Sequence, residues 1–105
     1  MPQQPELWIG LVEIKPLNQK DYGAAGAFTN IVTWARNAVE FRQKAETIAA
    51  TLNLYVIGVE REEPFAERIK KFTVDDEIED MVGRAEFNPN AIVYGTFHCY
   101  PFNEA

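Results

Sequence analysis

Residues 94–102 read YGTFHCYPF and hold the chain's one histidine, His98, its one cysteine, Cys99, and two of its four tyrosines. Those types could form a thiolate–imidazole pair, in which His98 draws the proton from Cys99. The spacing opposes it. Neighbours in a strand point to opposite faces, so the two side chains diverge. A zinc site takes three or four protein ligands, and one His with one Cys cannot supply them. Serine is absent from the chain, which removes serine nucleophiles and the usual acyl-transfer triads. No catalytic residue, metal site or cofactor site is therefore assigned.

Two weaker constellations remain. In a strand over 91–100, Tyr94, Thr96, His98 and Tyr100 share one face. An aromatic wall with a few polar groups is the make-up of a ligand pocket, and equally of a sheet surface with cross-strand pairs. The second constellation is acidic. Between residues 60 and 80 lie nine acids and four bases. Glu60, Glu62, Glu63, Asp75, Asp76 and Glu77 are its candidate contacts for a basic protein partner. The calcium-loop pattern of alternating ligands around a central glycine is missing. A solvated surface with acids in a helix's first turn explains the same residues.

The glycines of NQKDYGAAGA, residues 18–27, are spaced G-x-x-G without lysine or a third glycine. That spacing reads as a loop rather than a phosphate cradle.

These side chains must be carried by a small domain. The chain has 105 residues, 47% of them hydrophobic and 25% charged, which suits a single globular domain over 1–105. Residues 1–6, with two prolines and two glutamines, read as a loose terminus. One cysteine allows no internal disulfide, and the start of the sequence has no signal-peptide pattern; both point to the cytoplasm. The formal charge of −6 disfavours nucleic acid and anionic membranes as partners.

Hydrophobic periodicity predicts strands over 7–15 and 54–61, each apolar on both faces. A long helix is expected from Phe28 to Leu52, capped by Thr29 or Asn30 and ended by a left-handed Asn53. Trp34 and Phe41 lie off its main stripe. A short strand is expected within 65–74. A second helix over 74–85 starts from a Thr73 cap and buries Ile78, Met81, Val82 and Ala85. A last strand covers 91–100. The order β-α-β-(β)-α-β predicts an α+β, ferredoxin-like sandwich with its helices on one face of a mainly antiparallel sheet.

Two helices on one face leave the other apolar face open. The leading expectation is a non-enzymatic binding or interaction module that forms a homo-oligomer, a dimer, through that face. An acidic inhibitor of the antitoxin or immunity type, steered onto a basic enzyme, is a second reading. A small-molecule enzyme using Tyr94, His98 and Tyr100 is a third.

Overall fold

The run ELWIGLVEIKP forms the central strand, because both of its faces are apolar and both find cover. The computed structural model describes residues 4–18, 20 and 22–101. Along it lie β1 (Glu6–Pro16), β2 (Gly26–Ala35), α1 (Ala38–Thr51), β3 (Leu54–Pro64), α2 (Phe65–Lys71), α3 (Asp76–Glu86), β4 (Ile92–Tyr94) and β5 (His98–Tyr100). The first half of the expected loose terminus lies outside the described residues, and β1 already begins at Glu6. The strand order is β3-β1-β2-β4, with β5 also paired to β2. All these pairings are antiparallel. No helix among the described residues is long and apolar enough to cross a membrane.

The fold is α+β, but the element order and the placement of its helices differ from expectation. The helix expected over 28–52 is a strand followed by a helix. Thr29, Ile31, Val32 and Thr33 are β-branched and fit a pleated surface better than a helix. Ala27, Thr29, Ile31, Thr33 and Ala35 alternate along one fully buried face. The strand pairs with β1 from Glu6↔Ala35 to Ile14↔Ala27 without a register break. The helix proper starts later, where the Asn37 side chain accepts the Glu40 N–H as an N-cap. Its buried stripe is Phe41, Ala45 and Ala49, and Val39 is exposed. Asn53 does take the left-handed conformation, at φ 59°.

Residues 65–71 are helical, not a strand. Ala66, Glu67, Arg68, Lys70 and Lys71 are good helix formers, and Lys70 pairs with Glu67 one turn away. The α3 cap is Asp75, whose carboxylate accepts the Ile78 N–H at 2.9 Å, rather than Thr73. Its buried residues are the four expected ones.

Helices cover both faces of the sheet, so the one-face sandwich is corrected. Val12 and Ile14 of β1 pack with Phe41, Ala45 and Ala49 of α1. Ile9 of β1 and Val32 of β2 pack with Ile78, Met81, Val82 and Ala85 of α3. The alternation of side chains in β1 and β2 produces both cores at once. On the α3 side, Trp34 donates its indole N–H to the Ala85 carbonyl at 2.8 Å.

The last strand is broken into two. β4 pairs with Ile31–Thr33 and β5 with Gly26–Phe28. The bend at 95–97 is held to the sheet between them. Gly95 N–H donates to Asn30 O, and Thr29 Oγ1 donates to Gly95 O, each at 3.0 Å.

Candidate binding face

α3 reaches only one end of its side of the sheet. It packs on Ile9 and Val32, with Leu7, Phe65 and Val93 around them. Towards the other end of β1 the same face carries Leu11, Glu13 and Lys15. β2 contributes Phe28 beside Glu13, and β3 contributes Tyr55 beside Lys15. Val56 turns towards α1, so strand alternation sends Tyr55 to this side, while Ile57 falls at the register shift beside Glu13. Both are exposed, at 44% and 39%. β5 adds His98 opposite Phe28 and Tyr100 opposite Gly26. The result is an open apolar and aromatic platform on four strands.

Its centre is polar and internally satisfied. The Tyr100 phenol donates to Glu13 Oε2 at 2.5 Å. The Phe28 and Tyr100 rings lie 5.9 Å apart, tilted by 49°, within the range where aromatic pairs attract. The hydrogen bond to Glu13, helped by partial burial and by the carboxylate's charge, pushes the Tyr100 pKa up to about 12. A phenolate there would face a carboxylate.

A phenol whose folded pKa exceeds its unfolded value of about 10 stabilises the fold fully below pH 10. That contribution is lost as pH rises from 10 towards 12. Near-ultraviolet titration should therefore show one tyrosine ionising late, near 12. In Glu13→Gln that tyrosine should return towards 10, because the charged acceptor is gone.

The four residues expected to form one stripe are divided by the bend. Tyr94 lies opposite Ile31 on the α1 side and packs on Phe97, with ring centroids 5.5 Å apart. His98 and Tyr100 lie on the opposite side, and His98 is exposed. Thr96 points at α3. Its backbone N–H donates to Glu77 Oε1 at 3.0 Å and its hydroxyl to Glu77 Oε2 at 2.6 Å. These bonds, hydroxyl first, hold the Glu77 carboxyl below its usual pKa. Cys99 turns away from His98, as strand geometry requires, and is exposed.

The acidic residues are likewise spread over several tasks. Glu63 bonds Arg68 Nε and Lys71 Nζ, each at 2.5 Å. Those bonds, Lys71's first, lower its pKa. Asp75 caps α3 and Glu77 holds Thr96. Glu62 is half-buried beside Gly10. Glu60 and Asp76 are exposed. A cleft of about 590 Å³ between β3, α2 and the start of α3 contains Glu62, Glu63 and Asp75 together with Arg61, Arg68 and Lys71. Its charges balance. No group of three or more potential metal ligands occurs among the described residues.

Glu13, Phe28 and Tyr55 are neighbours of Tyr100 that the sequence pattern did not bring together. The signal for one of them was present: Tyr55 stands on one face of an apolar strand. Phe28 was hidden by the helical reading of its segment, and Glu13 looked like an ordinary surface acid. Compared with protein-family models, curated proteins and solved structures, the chain matches none at a significant level.

Proposed function

We propose that this chain is a non-enzymatic binding module, acting in the cytoplasm, that forms a homodimer through the uncovered end of its α3-side sheet face. One observation carries the reading: Leu11, Phe28, Tyr55 and Tyr100 gather on one open face beyond the reach of α3, and none of them joins either core cluster. Aromatic side chains with large contact area are the usual anchors of protein interfaces. Charge favours a second copy as the occupant. The protein as a whole is at −6, yet this face sets Lys15 beside Glu13. In a two-fold pairing each patch meets its own copy, so acid and base can be brought opposite one another rather than like against like.

The two other readings draw less support. Glu63, Asp75 and Glu77 of the acidic set are engaged within the fold, and Tyr94 is on the other side of the sheet from His98 and Tyr100.

Sedimentation at micromolar concentration tests the proposal. The wild-type chain should sediment as a dimer. Tyr55→Asp places a charge on the apolar contact and leaves both cores untouched. It should weaken self-association about 30-fold, the equivalent of a 2 kcal/mol interface residue. A wild-type chain that stays monomeric throughout would overturn the reading.

A further inference from the structure

Tyr94 and Tyr100 are six residues apart, so in one continuous strand they would share a face. They do not, and the bend at 95–97 is the reason. The sheet alone does not complete that bend. Two of its bonds come from α3, which lies on the same side of the sheet as Tyr100, where the Glu77 carboxylate takes both donors of Thr96. Gly95 leaves room for this approach: a Cβ on residue 95 would lie 2.4 Å from Glu77 Oε1. One side chain with two acceptors thus meets two donors on a single residue. The next residues are β5, which carries Tyr100 to Glu13.

We propose that Glu77 is a positioning residue for the binding face: clamped on Thr96, it sets the bend that delivers Tyr100 to Glu13 and Phe28, so that α3 governs whether the self-association surface is complete. This rests on the dimer reading for its functional half. Its structural half, the placement of Tyr100, is read separately.

The test measures two quantities on the full chain at neutral pH: the proton NMR contact between the Phe28 and Tyr100 rings, and the dimer dissociation constant from sedimentation. Glu77→Ala should weaken the ring contact and raise the dissociation constant about tenfold. Glu77→Gln keeps one carbonyl acceptor and should recover part of both. Thr96→Val removes the hydroxyl but keeps the backbone N–H and the fold, and should move both quantities in the same direction by less. Should Glu77→Ala fail to fold, Thr96→Val decides. An unchanged ring contact in the folded variants would overturn the clamp. A lost ring contact with an unchanged dissociation constant would overturn its control of assembly. A wild-type monomer would sink the dimer reading and this control with it, while the ring contact would still judge whether Glu77 places Tyr100.

Discussion

Replacing Phe41 by alanine should lower the free energy of unfolding by about 3–5 kcal/mol, the range for deleting a large buried aromatic. Phe41 is fully buried and is the largest of the fully buried side chains. Its ring lies over the backbone of β1 at Gly10 and 6.4 Å from the Trp8 ring. It is the main plug between α1 and the sheet, because the other buried residues of α1 are the small Ala45 and Ala49. Two alanines cannot refill the space, so the cavity persists and its cost adds to the lost transfer energy. Urea denaturation should show the midpoint falling with the slope unchanged, as expected when stability alone is altered. A loss under about 1 kcal/mol would mean that α1 closes onto the sheet without this ring and that no lasting cavity forms.

Gly26→Ala is the second large effect, and it connects the fold to the binding face. A Cβ at residue 26 would lie 2.3 Å from the Tyr100 hydroxyl and 2.8 Å from the Ile14 carbonyl oxygen. The tyrosine can swing away, but the carbonyl belongs to the central strand. Overpacking of this kind costs about 1–3 kcal/mol. Displacing Tyr100 also breaks its bond to Glu13. The variant should therefore unfold at lower denaturant and lose the late tyrosine ionisation. Retention of that late ionisation would show that Tyr100 keeps its place without the space at Gly26, and would count against the close approach.

The amino-acid sequence announces some of these features and conceals others. The α3 stripe was plain, since Ile78, Met81, Val82 and Ala85 repeat at helical steps among acids and nothing else competes for that pattern. The apolar double face of β1 was also plain, but with both helices expected on one side its second face was left to self-association, whereas α3 covers part of it. The stretch from Ala27 to Ala35 was not. Its apolar residues satisfy a period of two as well as three- and four-residue steps, and pairing with β1 decides between them. Reading it as helix moved the start of the stripe ten residues early, which is why Phe41 looked off-centre. With the helix begun at Ala38, Phe41, Ala45 and Ala49 fall in line. That single misreading also hid a strand, and with it the order of the sheet. The bend at 95–97 was beyond reach of local pattern, because a helix nineteen residues earlier holds it.

The two borders of the sheet decide what shape any assembly can take. On one side β3 is irregular: its register with β1 shifts twice, Arg61 adopts φ 57° near one of those shifts, and Pro64 closes the strand. Bulges, charges and proline are what keep a free edge from templating another chain. On the other side β4 and β5 offer three residues apiece, too short to seed a lengthening ribbon. Fibril-like growth by strand addition is thus discouraged at both margins.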